Sequence, residues 1–252
     1  VITRDELASY LHELLACNDY DDYAPNGMQI EGEKHIRKIC TAVTASLDAV
    51  HQAVAFEADV LLVHHGYFWR GEAPVITGMK RERIARLIKH NISLFAYHLP
   101  LDCHAELGNN ACLARLLNFN SIKKHKIGKN RDLLWSGSLT KTISAKKFLS
   151  QLEEKLDREP LYIHGSEKPI HRVAWCSGAA QDYIEEAYNL GVDAYISGEV
   201  SERTFYQAKE LGIHYFACGH HATERYGIQA LGNHLATKFD LEYHFIDSSN
   251  PV

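Results

Sequence analysis

A chain of 252 residues is long enough to bury a sizeable core as one large domain or two of moderate size. Its 46% hydrophobic and 23% charged residues suit a soluble globular protein, and a net charge of −5 argues against general affinity for nucleic acid. Six scattered cysteines without a CxxC pair speak against a disulfide framework and suit reduced thiols in the cytosol, and no apolar run approaches the ~18 residues of a membrane span.

In chain order, the spacing predicts a strand over 37–43, a helix over 47–56 capped by Ser46, and a buried strand over 59–63. A helix over 79–89 carries the basic face Lys80, Arg81, Arg83, Arg86 and Lys89, read as solvated. A strand over 92–97 and a helix over 109–117 follow. Residues 120–131 are basic and lack an apolar period, so they read as a linker. Next come a strand over 133–139, a helix over 145–156 capped by Ser144, and a strand over 160–164. The chain then runs strand 171–176, helix 181–190, strand 193–197, helix 202–211, strand 213–218, helix 223–237 and strand 241–246. This alternation predicts an α/β fold of two related α/β units, with mainly parallel sheets covered by helices. The first unit spans 1–125, joined by the C-terminal segment 225–252; the second spans 126–224.

The two units echo one another. Ile36-Arg37-Lys38-Ile39 is matched by Ile170-His171-Arg172-Val173, and Ala58-Asp59 by Val192-Asp193, each 134 residues later (36 to 170, 59 to 193). Beyond an extra loop at 67–78 the spacing becomes 122 (98 to 220), which aligns His98-x-x-x-Asp102 with His220-x-x-x-Glu224. In the same scheme His64-His65 falls on Gly198-Glu199.

These positions carry the chemistry. His64 and His65 end one predicted strand, His98 and Asp102 follow the next, and His220 and Glu224 follow the corresponding strand of the second unit. In open parallel sheets ligands bind beyond the carboxyl ends of strands. Adjacent strand residues point to opposite faces, so the two histidines cannot reach one point from a regular strand; at a frayed end before Gly66 they diverge, each to its own ion. The expectation is a two-metal site in the cleft between the units, held by His64, His65, Asp102, His220 and Glu224, with Glu224 as the bridge. Nitrogen and oxygen donors of this kind suit two divalent ions of Zn, Fe, Mn, Co or Ni. His98 is a ligand, a donor behind one, or a general acid–base; the sequence leaves all three open. Glu199, in Ser197-Gly198-Glu199-Val200, is a second candidate for moving protons. His104 is a weaker candidate, His221 a neighbour of a ligand, and His214 and His234 are read as strand-edge or helix-surface residues.

Asn26-Gly27-Met28-Gln29, His64-His65-Gly66, His98-Leu99-Pro100-Leu101-Asp102 and Gly219-His220-His221-Ala222-Thr223-Glu224 together resemble the Ngg-interacting-factor-three-like family, whose members carry the name GTP cyclohydrolase 1 type 2 homologue. The resemblance implies a two-domain α/β fold of the short form, without the inserted middle domain of longer members. It further implies a dinuclear centre on the same five residues and a toroidal homohexamer in the cytoplasm.

A reaction of cyclohydrolase type directs metal-activated hydroxide at C8 of a guanine ring, with His98 or Glu199 moving protons. No GxxxxGK[ST] is present; Arg70 is a candidate phosphate contact and Tyr67, Phe68 or Trp69 a stacking surface for a nucleotide or other small-molecule substrate, though packing of this aromatic loop at a subunit interface is the favoured reading. Two alternatives use the same residues without turnover: a metal-handling or metallochaperone protein, and a scaffold whose metals hold the fold.

Overall fold

Apolar strands flanked by helices organise the chain into two units. The computed structural model describes residues 1–252. One unit comprises Val1–Gly108 and Gly227–Ser248, the other Asn109–Tyr226 and Ser249–Val252. In chain order the first contains β1 (Ile2–Thr3), α1 (Arg4–Leu14), β2 (Gly27–Ile30), β3 (His35–Ile36), β4 (Lys38–Thr44), α2 (Leu47–Ala55), β5 (Val60–His65), α3 (Gly78–Lys89), β6 (Ser93–Ala96) and α4 (Leu99–Cys103). The second contains α5 (Asn109–Leu116), β7 (Asn120–Ile127), β8 (Asn130–Ile143), α6 (Ala145–Leu156), β9 (Leu161–Ile163), β10 (Ile170–Trp175), α7 (Ile184–Asn189), β11 (Ala194–Ser197), α8 (Glu202–Leu211) and β12 (His214–Ala217). Helix α9 (His220–Phe239) starts in the second unit and ends in the first, which β13 (Glu242–Phe245) completes. No helix is long and apolar enough to cross a membrane.

The first unit's main sheet has the order β13-β4-β5-β6-β2, with only β2 antiparallel to its neighbour. Alternate residues of β5 serve its two faces. Val60 and Leu62 pack with Leu7 and Leu11 of α1 and Ile228, Leu231 and Leu235 of α9. Leu61 and Val63 pack with Val50 of α2 and Leu87 of α3. A strand buried on both sides needs an unbroken apolar run, and 60–63 supplies it.

The second unit's sheet runs β7-β8-β10-β11-β12-β9, with β7, β8 and β9 antiparallel to their neighbours. Both sheets are therefore mixed: the first stays mainly parallel, as expected, whereas antiparallel pairs predominate in the second, where a tight hairpin such as β7–β8 can join only antiparallel strands. That hairpin also replaces the linker expected over 120–131. Lys123, Lys124 and Lys126 are all exposed along this edge strand, which hides it from an apolar count. Helix α5 and Phe119 pack with Trp175 and Phe148, so the first boundary falls after Gly108 rather than after residue 125.

The internal echo extends to hydrogen bonds. Cys40 pairs with Leu61 and Ala174 with Tyr195, both 134 residues apart (40 to 174, 61 to 195). Asp59 Oδ2 accepts from the N–H groups of Arg37 and Lys38 at 2.7 and 2.9 Å. Asp193 Oδ2 accepts from His171 and Arg172 at 2.9 and 2.8 Å. The order β4-β5-β6-β2 recurs as β10-β11-β12-β9. After the extra loop, Ser93 opposite Val60 corresponds to His214 opposite Ala194, a spacing of 121 (93 to 214). His220 thus lies one residue past the equivalent of His98, and the alignment at 122 is corrected by that single residue.

Each aspartate clip joins the start of one strand to the start of its neighbour through two charge-assisted hydrogen bonds. Asp59→Ala and Asp193→Ala are each expected to cost about 1.5–3 kcal/mol, nearly additively in the double variant, as read by thermal and urea denaturation.

Candidate metal centre

Strand β5 ends in the two histidines, both inside regular pairing: His65 lies opposite Thr44. The frayed end expected from the sequence is absent, and the residues leave opposite sides of the strand. Their rings still lie 4.6 Å apart, centroid to centroid, beside that of His98 at 5.1 and 5.8 Å. One ring nitrogen from each of the three lies within 4.8 Å of the others.

The other ring nitrogens are occupied. His64, fully buried, has Nδ1 2.9 Å from the Tyr97 carbonyl oxygen. A carbonyl only accepts, so Nδ1 carries a proton and Nε2 is the nitrogen left for other partners. That Nε2 faces Asp102 Oδ1 at 3.4 Å. His65 Nδ1 lies 3.1 Å from the Thr44 hydroxyl, which can donate or accept. His98 donates from Nδ1 to Asp22 Oδ1 at 2.9 Å.

Asp22 is the residue the sequence reading missed, hidden in the acidic run Asp19-Tyr20-Asp21-Asp22. Its side chain is buried and also accepts from Ala24 N, Asn26 Nδ2 and Leu99 N at 3.2, 2.9 and 2.9 Å. Burial disfavours its charge, but the bonds and charge of His98, with Asn26 and Leu99, hold its pKa down at about 2. Asn26 Oδ1 accepts from His98 N at 2.7 Å, so side chain and backbone of His98 are both fixed. Asp102 follows one turn later, its N–H bonded to His98 O at 3.1 Å. Gln29 Oε1 accepts from Tyr67 N at 2.7 Å and fills the space a Cβ at Gly66 would need. The Asn26–Gln29 motif is thus a brace for the histidine turns.

The loop after Gly66 differs from expectation. Tyr67 is a core residue with its hydroxyl on Ala45 O at 2.8 Å, so it is not a stacking surface. Arg70 ties two loops together: its N–H bonds Tyr23 O at 2.7 Å and its Nη2 bonds Asp22 O at 2.8 Å. Phe68 has φ +66°, a left-handed value that costs on the order of 1–3 kcal/mol in a bulky residue. Glu72 Oε2 holds that turn by accepting from Phe68 N and Trp69 N at 3.0 and 3.2 Å. Trp69 comes to rest 5.0 Å from the His98 ring and 5.9 Å from that of His65.

In the second unit, α9 begins at His220 itself, earlier than expected, which puts His220 and Glu224 one turn apart on one helix face. His220 Nε2 lies 3.0 Å from Glu224 Oε2, and Nδ1 lies 2.7 Å from Glu199 Oε1. Burial lowers the pKa of His220, but the carboxylates of Glu224 and Glu199 outweigh it and lift the value to about 9. Gly178, at φ +67°, leaves the space taken by Glu224: a Cβ there would collide with Glu224 Oε1 and lie 3.1 Å from His220 Nε2. His221 N donates to Val252 O at 2.9 Å. Elsewhere, His104 Nδ1 accepts from Glu106 N and Leu107 N at 3.2 and 3.0 Å, making it a turn cap. His214 is buried between Tyr162 and Lys168 O rather than at a strand surface.

Comparison with known proteins agrees with these motifs. Residues 2–251 match the family model described as Duf34/NIF3 (NGG1p interacting factor 3). A Pseudomonas aeruginosa protein named GTP cyclohydrolase 1 type 2 homolog is 50% identical over 231 residues, covering 92% of this chain and 91% of its own. An Escherichia coli (strain K12) protein of the same name is 47% identical over 249 residues, covering 98% of both. Among solved structures, one called protein ybgI, of unknown function, superposes with a TM-score of 0.95 at 45% identity over the whole of both chains. A Thermus thermophilus protein does so with a TM-score of 0.90 at 31% identity, again over 100% of each. On a match that spans nearly its full length, this chain belongs to the Duf34/NIF3 (NGG1p interacting factor 3) family.

Proposed function

We propose that the protein is a metal-dependent hydrolase of the cyclohydrolase kind, holding two divalent ions through His64, His65, Asp102, His220 and Glu224. One observation carries this reading. His64, His65, His98 and His220 each have Nδ1 engaged by an oxygen, which leaves Nε2 as the donor atom. His64 Nε2 and Asp102 Oδ1 also face one another at 3.4 Å, a nitrogen and an oxygen donor side by side. Nitrogen and oxygen donors without thiolate suit Zn, Fe, Mn, Co or Ni. Glu224, whose Oε2 lies 3.0 Å from His220 Nε2, would supply carboxylate oxygen beside that imidazole.

When bound, such ions supply Lewis acidity and lower the pKa of water toward neutrality. His98, anchored by Asp22, is the group suited to moving a proton at Nε2. Glu199 orients His220 through Nδ1 and raises its basicity, a positioning role in place of direct proton transfer to substrate. The name shared by the relatives points to GTP as the first substrate to try. The six-copy ring that the family resemblance implies belongs to the same reading, and mass measurement in solution tests it.

One observation favours a second reading, metal handling. The proton on His220 must leave before a metal enters, so loading responds to pH as an exchangeable site would. Turnover separates the two readings.

Metal analysis with a hydrolase screen that includes GTP is the decisive experiment. Wild type should hold two ions per chain; His64→Ala and Glu224→Gln should each lose at least one, with activity down ~100-fold or more in folded protein. Formate release from GTP that survives His64→Ala overturns the site. Asp22→Asn should keep both ions but lower turnover about 10–100-fold, since His98 loses its anchor. In metal-free protein the raised pKa of His220 contributes stability below its unfolded value near 6.5, lost as pH rises through about 9. Thermal midpoints between pH 6 and 10 should therefore fall, and Glu224→Gln should flatten the decline.

A further inference from the structure

Two aromatic side chains beside the histidines belong to neither hydrophobic core of their unit: Tyr23, 52% exposed, and Trp69, half-buried. Their rings lie 5.6 Å apart, inclined at 37°, and each meets the His98 ring edge-on, at 5.1 and 5.0 Å. The loops that carry them are locked together. Arg70 N bonds Tyr23 O, and Glu72 fixes the strained turn at Phe68 that brings Trp69 back toward His65. Trp69 Nε1 donates to Gly66 O at 3.2 Å, so the indole offers its π surface and nothing else. Strain and hydrogen bonds are thus committed to holding exposed aromatic faces next to metal-donor nitrogens, where core packing gains nothing from them.

We propose that Tyr23 and Trp69 form a stacking wall for a flat nitrogen heteroaromatic ligand, whose in-plane oxygen and nitrogen edge is presented toward His65 and His98. This inference rests on the metal reading above. A ligand that approaches divalent cations must bring lone pairs, which disfavours a cationic group on the π faces. In a heteroaromatic ring the lone pairs lie in the plane while the faces remain free to stack, so one molecule satisfies the wall and the ions together. The chemical class is therefore purine-, pterin- or pyrimidine-like. Arg70, spent on Asp22 O and on Asp21 at 3.7 Å, is not the group that selects it.

Calorimetric titration of metal-loaded protein with xanthine tests the wall, against allantoin, which keeps the ureido edge without the fused flat rings. Xanthine should bind wild type, Trp69→Ala and Tyr23→Ala should each weaken it about tenfold, and Trp69→Phe should stay within about threefold of wild type. Allantoin should bind at least tenfold more weakly than xanthine. Metal content is measured on the same samples and should be unchanged in all three variants. Equal xanthine affinity in wild type and both alanine variants overturns the stacking wall, as does allantoin binding as tightly as xanthine. Absence of metal from wild type overturns the metal reading instead, and this inference with it.

Discussion

An imidazole can offer a metal only one nitrogen, and the other decides which. The candidate centre depends on that constraint. A main-chain carbonyl, a threonine hydroxyl and two carboxylates sit on the Nδ1 atoms of His64, His65, His98 and His220. Each anchor comes from an element adjoining the histidine's own: the residue after β6 for His64, the end of β4 for His65, the loop ahead of β2 for His98, and the loop after β11 for His220. Ring orientation is thus a property of the sheets, and a shift of one strand register would undo it.

The duplicated architecture accounts for anchored histidines at strand ends in both units. Both units carry the same four-strand order and the same aspartate clip at the strand starts. They diverge at the strand ends, where chemistry is under less steric control than in the core. His64-His65 in one unit corresponds to Gly198-Glu199 in the other, exchanging two imidazoles for a glycine and an orienting carboxylate. Gly178, Gly198 and Gly219 then bring three strand ends into backbone contact, with Gly198 N on Gly178 O and Gly219 N on Gly198 O, both at 2.8 Å. A side chain on Gly198 would strike Gly178 O and His220 Cα at 2.6 and 2.8 Å.

Much of this was legible in the sequence, and the exceptions have physical causes. Helix 145–156 and its cap Ser144 were readable because an N-cap hydroxyl and an apolar stripe coincide there. Strand β5 was readable as an apolar run bounded by histidines. The capping box Thr3–Glu6 that starts α1 was a visible signal left unused. Strand β7 was not readable, because an exposed edge built from lysines lacks the apolar alternation of a half-buried strand. The five proposed donor residues stand out in the sequence by type and spacing. Asp22 and Gly178 do not: one acts through a hydrogen bond to a residue 76 positions away, the other by leaving room. Long-range partners and required empty space are properties of the folded chain alone.

The edge formed by β13 against β4 has a consequence for how the molecule is made. Because Glu242–Phe245 pairs with Lys38–Thr41, the outer side of β4 stays uncovered until residues 242–245 have left the ribosome. Helix α9, whose Ile228, Leu231 and Leu235 complete the same hydrophobic cluster, emerges almost as late. During synthesis the nascent N-terminal portion must wait with a bare β-edge and an open apolar face, while the inserted stretch 109–226 is free to fold ahead of it. Chaperone demand should concentrate in that interval.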